Sequence, residues 1–395
     1  MTPYDHQIQL ANDGLAILKQ YGIAYLAAEE RTGKTLSAIL IAEQMKAKRI
    51  LVLTKKKALD GWHETLAAFT HTKDYVVTNY HQALKQTGQF DMVILDEAHN
   101  YISAFPKVGK IWREVAPLCK DVPILYLSAT PHAQGPQQLF HQFKLSSYSP
   151  WKKHGTFYTW FRLYGKPYDI EINGIAIRQY DKCDVELILG TCEHLFVTRT
   201  RKELGFEHEP EDELHYIKLD DATRYVYNEL LEHNIVELKA GMLVCDTKSK
   251  LRYALHQLEG GTAKIDKERL VLSNREKIDF LLRKFGDTED LVIMYNYIPE
   301  LAKLEAVFKH ARILQATSFA EGVDLHKHKH LVIYSQDFST ARHTQRRARQ
   351  ANMKRDTPIT VHYLLVKKGL SEQVYNTVSV NKRNFVDSVF AKDKI

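Results

Sequence analysis

Two short segments hold the side chains best suited to chemistry, Gly33-Lys34-Thr35 and Asp96-Glu97-Ala98-His99. The first ends the run Ala28-Glu29-Glu30-Arg31-Thr32-Gly33-Lys34-Thr35, set between an apolar stretch and a helix expected to start near Lys34. A tight loop in that place aims backbone N–H groups and a helix amino end at phosphate oxygens. An ammonium such as that of Lys34 reaches the β- and γ-phosphates, and a hydroxyl such as that of Thr35 takes Mg²⁺. Ala28 stands where the usual GxxxxGK[ST] pattern has its first glycine. The second segment closes the apolar run Val93-Ile94-Leu95 with paired carboxylates. Carboxylates at the carboxyl end of a strand in an open α/β sheet face the ligand crevice. There Asp96 would hold Mg²⁺, and Glu97 would orient and deprotonate an attacking water.

Those segments need a sheet to carry them. From residue 22 to 130, short β-branched runs alternate with stretches of helical period, the form of a parallel sheet wrapped by helices. The spacing predicts strands at Ile23 to Ala28, Arg49 to Thr54, Tyr75 to Asn79, Met92 to Asp96 and Pro123 to Ser128. They lack polar alternation, as strands covered on both faces do. A second alternating region predicts strands at Leu291 to Tyr295, Arg312 to Ala316, His330 to Ser335 and Ile359 to Leu364. A long helical stretch near 221 to 258 is expected before it, and a closing helix from Ser371 to Val389 after it. Between the two regions lie many aromatics, among them Trp151, Phe157, Tyr158, Trp160, Phe161, Tyr164 and Tyr168. The expected division is therefore 1–146, a bridging segment 147–215, and 216–395. A chain of 395 residues suits two domains of about 150 to 200 residues each.

Composition is that of a folding globular chain, with 44 % apolar and 26 % charged residues. The charge of +7 is compatible with a polyanionic partner without demanding one. Cys119, Cys183, Cys192 and Cys245 form no CxxC pair, so neither a disulfide framework nor a zinc site of cysteines is expected, and a reducing cytoplasm is. No apolar run approaches about 18 residues, so no membrane span is expected, nor is an export signal.

With these segments in order, the chain resembles superfamily 2 helicases, and within them Swi/Snf-type (DEAH-box-like) ATPases of the small kind found in bacteriophage genomes. Tyr4-Asp5-His6-Gln7 resembles the adenine-sensing element, which makes Gln7 the adenine reader. Ala27-Ala28-Glu29-Glu30 through Thr35 resembles a phosphate-loop variant that begins with a small residue and acids, bringing Glu30, Thr32 and Gly33 into the nucleotide site. The stretch Leu51 to Thr54 with Trp62, and Thr78-Asn79-Tyr80, lie where the family touches one nucleic-acid strand. Ser128-Ala129-Thr130-Pro131, with His99, resembles the element that couples nucleotide state to movement. Val197 to Lys202 resembles the basic stretch that follows the first lobe. Glu321-Gly322-Val323-Asp324-Leu325 resembles the fifth motif, with Gly322 toward nucleic acid and Asp324 toward nucleotide, although Phe319 and Ala320 replace its usual glycines. Gln345 to Gln350 resembles the sixth, whose arginines cross to the γ-phosphate. Pairing Arg346 with Arg349 preserves the family's spacing, and the register beginning at Gln345 puts Asn352 at the last arginine position.

The resemblance implies an α/β protein of two tandem RecA-like helicase lobes, using ATP and Mg²⁺ on DNA, single-stranded or forked, with RNA open. A role beside phage or host replication proteins is implied in the same way, as is strand separation, with duplex translocation or an ATP-gated scaffold as the alternatives. Other candidates carry less. In His326-Lys327-His328-Lys329-His330 the lysines would repel a cation, so a loop near the nucleic-acid backbone or a solvated turn is expected rather than a metal site. The aromatics of 151–168 are expected to pack rather than stack bases.

Overall fold

The computed structural model describes residues 2–132, 135–172, 175–316, 325, 327–348, 351 and 357–380. The chain divides into two compact units, 1–206 and 207–395. That division falls inside the expected bridging segment 147–215.

The first unit is built on a parallel sheet of β1 (Ile23–Leu26), β2 (Arg49–Thr54), β3 (Asp74–Asn79), β4 (Met92–Asp96), β5 (Ile124–Leu127) and, after an antiparallel hairpin of β6 (Tyr168–Ile172) and β7 (Ile175–Gln179), β8 (Phe196–Val197). Their order is β3-β2-β4-β5-β1-β8. Alternate residues of each central strand go to opposite faces. Ile23, Tyr25, Leu51, Leu53, Val93, Leu95, Ile124 and Tyr126 pack in one apolar layer. Ala24, Leu26, Ile50, Val52, Met92, Ile94, Leu125 and Leu127 pack in the other. Helices cover both layers, which is why these runs read as continuously apolar. The aromatics Trp151, Phe157, Trp160, Phe161 and Tyr164 are buried in the first of these layers with Phe140 and Phe143. They therefore extend the core of the first unit, as packing residues.

In the second unit β9 (Pro210–Tyr216) precedes two antiparallel hairpins, β10 (Ile235–Leu238) with β11 (Gly241–Val244) and β12 (Thr262–Ile265) with β13 (Glu268–Val271). Then come β14 (Leu291–Tyr295), β15 (Arg312–Gln315), β16 (His330–Ile333) and β17 (Ile359–Leu365), in the all-parallel order β15-β14-β16-β17-β9. Counted from each unit's own first strand, both five-strand cores run 3-2-4-5-1. The chain thus contains two RecA-like sheets of one topology.

The helical stretch expected from 221 to 258 is two helices, Asp221–His233 and Lys248–Glu259, separated by the β10–β11 hairpin. Asn234 caps the first in the left-handed region at φ 59°, and the turn at Gly241 (φ 131°) reverses the chain. The closing helix is Leu370–Tyr375 followed by one π turn to Val380, and 381–395 lie outside the described residues. Among the described residues no helix is long and apolar enough to cross a membrane.

Candidate nucleotide site of the first unit

The carboxyl ends of β1, β4 and β5 each lead directly into one expected segment, so the sheet gathers residues far apart in sequence. After β1 the backbone turns through left-handed Arg31 (φ 68°) and Gly33 (φ 79°) into helix Lys34–Glu43. A side chain at Gly33 is disfavoured by its φ, and a Cβ there would also push Gln7 Nε2, 1.9 Å away, out of its place. The start of the first helix, Asp5–Tyr21, is locked onto this loop. Gln7 Oε1 accepts from the Tyr4 backbone N–H at 3.0 Å, His6 Nε2 meets the Thr32 carbonyl at 3.1 Å, and Ser37 Oγ donates to the Gln7 carbonyl at 3.1 Å. Gln7 thus sits against the phosphate loop, where its amide is held rather than free to swing.

Lys34 Nζ curls back to donate to the Ala28 and Glu29 carbonyls, each at 2.7 Å. Burial depresses its pKa, against the pull of Glu30, Glu97 and Asp96, so the four charges lie in one neighbourhood. The ammonium occupies the loop as an internal cation, a place that phosphate oxygens can take over. Thr32 is buried, with Oγ1 donating to the Glu29 carbonyl at 2.8 Å, and Thr35 is half-buried in the first turn of the helix.

Asp96 is fixed by three side chains. Its Oδ2 accepts from Thr54 Oγ1 at 2.7 Å and from Trp62 Nε1 at 3.1 Å, and its carbonyl accepts from the Tyr80 hydroxyl at 2.9 Å. Thr54, Trp62 and Tyr80 are each no more than 1 % exposed. Their side chains face the interior of the unit and Asp96 rather than solvent. They are the walls and hydrogen-bond donors that orient the carboxylate, and a buried indole N–H requires such a partner. Thr78, on edge strand β3, remains half-buried.

Glu97 follows in the left-handed region at φ 52°. Its carboxyl is pushed up to about 7, first by burial, then by Asp96, with Lys55 opposing as the largest cation. Ser128 Oγ bridges Glu97 Oε2 at 3.2 Å and His99 Nδ1 at 3.1 Å, and accepts from the Thr130 N–H at 3.0 Å. Burial drives His99 down to about 3, so its ring is neutral. The expected coupling residues Ser128 and His99 thus meet the expected base directly, and Thr130 meets it through Ser128, with Ala129 between Ser128 and Thr130 in the chain.

Two further participants were not expected at this site: Lys55, which carried no motif, and Arg201, which was read only as part of the basic stretch Val197 to Lys202. Lys55 follows β2, and its only sequence signal is the triplet Lys55-Lys56-Lys57 at a strand end. Arg201, 6 % exposed, lies against the loop because β8 pairs with β1. Its backbone N–H donates to Glu29 Oε2 at 2.8 Å, and its guanidinium stands 3.6 Å from Glu30 Oε2. No spacing rule links residues 30 and 201.

In the second unit Arg346 is 2 % exposed and pairs with Asp337 at 3.2 Å. Arg347 donates to Asp212 at 2.6 Å. Gly322, Asp324 and Arg349 lie outside the described residues.

Comparisons agree with this arrangement. Residues 1–133 match the family model described as type III restriction enzyme, res subunit, and residues 74–262 match that of the SNF2-related domain. Over those residues the chain is similar to the res subunit of type III restriction enzymes and to SNF2-related domains. That relationship supports an ATP-hydrolysing enzyme that acts on nucleic acid. A search of curated proteins found no match. Among solved structures, the Sulfolobus solfataricus SWI2/SNF2 ATPase core domain is similar over 98 % of this chain and 92 % of its own, at 14 % identity and TM-score 0.43. At that level it adds nothing to the strand order described above.

Proposed function

We propose that the chain is a DNA translocase driven by Mg²⁺-dependent ATP hydrolysis at the carboxyl edge of the first sheet. The observation that carries this reading is the convergence of Lys34, Asp96, Glu97 and Ser128 in one polar cluster, with the Glu97 carboxyl pushed up to about 7. A carboxyl in that range suits a general base at neutral pH. The donor set also fits the cofactor: a pre-oriented carboxylate at Asp96 and a hydroxyl at Thr35 are hard oxygen ligands of the type Mg²⁺ takes. When bound, Mg²⁺ would neutralise charge on the β- and γ-phosphates.

The residues then divide the work. Gly33 lets the backbone approach the phosphates, Lys34 leaves its two carbonyls for phosphate oxygens, and Gln7 reads the adenine. Glu97 takes a proton from water as its oxygen attacks the γ-phosphorus. The bond to the β,γ-bridging oxygen breaks, and ADP and phosphate leave. Ser128 and His99 feel whether Glu97 is charged, which ties the γ-phosphate to Thr130 and the coupling segment. From the second unit we assign Arg349 to the γ-phosphate, Asp324 to the nucleotide and Gly322 to the nucleic acid. Arg346, held by Asp337, positions the helix Thr340–Arg347 that leads to Arg349.

DNA is the assigned track, with a cytoplasmic setting and a part in phage replication or recombination. The SNF2-related match across 74–262 favours a second reading, movement on duplex DNA without strand separation. Displacement of a third strand from a triplex, run beside unwinding of a fork, separates the two. In both, Lys34→Ala and Glu97→Gln are expected to abolish DNA-stimulated ATP hydrolysis and spare DNA binding.

A further inference from the structure

In the second unit, three side chains from two neighbouring strands bring nitrogen and oxygen lone pairs together on one face of the sheet. Glu213 and His215 are two residues apart on β9, so they share a face, and His362 on β17 stands directly opposite Glu213. His215 Nε2 lies 3.1 Å from His362 Nδ1, His362 Nδ1 lies 3.1 Å from Glu213 Oε2, and His215 Nε2 lies 3.5 Å from Glu213 Oε1. Tetrahedral Zn²⁺ with bonds of about 2.0 to 2.1 Å spaces its donor atoms about 3.3 Å apart. The His215–His362 and His362–Glu213 Oε2 separations lie close to that value, and one ligand atom from each of the three groups lies within 4.8 Å of the other two. We propose that Glu213, His215 and His362 form a binding site for a zinc-like divalent ion, apart from the nucleotide site.

Several observations favour an ion over a plain hydrogen-bond chain. His362 is 3 % exposed and its Nε2 is buried with no hydrogen-bond partner. If that nitrogen keeps the ring proton, Nδ1 presents its lone pair to the other two groups. Phe280 packs on His215 and Phe285 on His362, giving the apolar surround that holds ligand rings in place. The fourth position falls to water, or to His330, whose ring centroid is 5.6 Å from that of His362.

One group opposes the ion. Lys284 Nζ donates to Glu213 Oε1. Its side chain is 34 % exposed at the end of helix Glu276–Lys284, so it can release the carboxylate to an incoming cation and turn to solvent. Lys284 is thus a built-in competitor, and removing it should tighten the site.

Full-length protein stripped with a chelator is titrated with Zn²⁺ against a colorimetric competitor, and with Co²⁺ followed by its visible absorption. The expected result is one tight ion per chain with the intense Co²⁺ band of four-coordination. Affinity should fall at least about 10-fold in Glu213→Gln and be lost in His362→Ala. It should rise in Lys284→Met. Should the histidine variant misfold, Glu213→Gln and Lys284→Met still decide, because both alter half-exposed side chains. Stoichiometry well below one, or binding indifferent to Glu213→Gln and Lys284→Met, overturns the site.

Discussion

Burial of the Glu97 carboxyl, the proposed base, weighs on the stability of the fold. Its pKa of about 7 lies above the usual 4.5 because burial disfavours the anion. Between pH 4.5 and 7 the folded state therefore holds a proton that the unfolded state has shed, so stability falls as pH rises through that window. The full difference is about 3 kcal/mol. Glu97→Gln should accordingly raise Tm at pH 8 and change it little at pH 4, measured by calorimetry on the nucleotide-free protein. An unchanged Tm at pH 8 would mean that the anion is not destabilised. A second outcome concerns Asp96. Hydrogen bonds to a charged group contribute about 1.5 to 3 kcal/mol, so Thr54→Val and Trp62→Phe should each weaken Mg²⁺-ATP binding about 10-fold. DNA affinity, measured by anisotropy, should stay the same. Were Trp62 a nucleic-acid contact, the pattern would be reversed.

At the scale of elements, the two second-unit arginines should behave differently. Arg346→Ala leaves Asp337 buried without that partner, and breaking a buried pair typically costs about 3 to 5 kcal/mol. Its effect should appear as a lowered melting temperature of the second unit. Arg349→Ala should leave stability alone and lower kcat by about 10³-fold or more, the usual cost of a missing arginine finger. Comparable melting losses in both would remove the distinction. The central strands were legible because two covered faces leave an uninterrupted apolar run: β2, β4 and β14 begin and end at the residues expected. β9 was not, because Pro210-Glu211-Asp212-Glu213-Leu214-His215-Tyr216 lies at a sheet edge and carries mostly polar side chains. β8 is only two residues long, yet it delivers Arg201 to the phosphate loop. Within the site, local motifs showed Lys34, Asp96 and Glu97. The hydrogen bonds of Thr54, Trp62 and Tyr80 to Asp96 span 42, 34 and 16 residues, and only the folded sheet reveals them.

For the whole molecule, repetition of the 3-2-4-5-1 order is the main architectural fact. It gives each unit a carboxyl edge of the kind at which open α/β sheets bind ligands. With a chain charge of +7 and no base-reading motif, DNA binding should rest on phosphate contacts. The logarithm of affinity should then fall linearly with the logarithm of salt, with a slope near −0.9 per phosphate neutralised. Affinity should differ little between sequences of equal length. A flat salt dependence would show that this expectation is wrong. The central claim is tested most directly by phosphate release from ATP, for wild type and Glu97→Gln, with single-stranded, duplex and forked DNA and with RNA. Wild type should hydrolyse ATP faster with at least one DNA, and Glu97→Gln should fall by about 10² to 10⁴-fold. Near-normal turnover in Glu97→Gln, or a wild-type rate indifferent to every nucleic acid, would contradict the account.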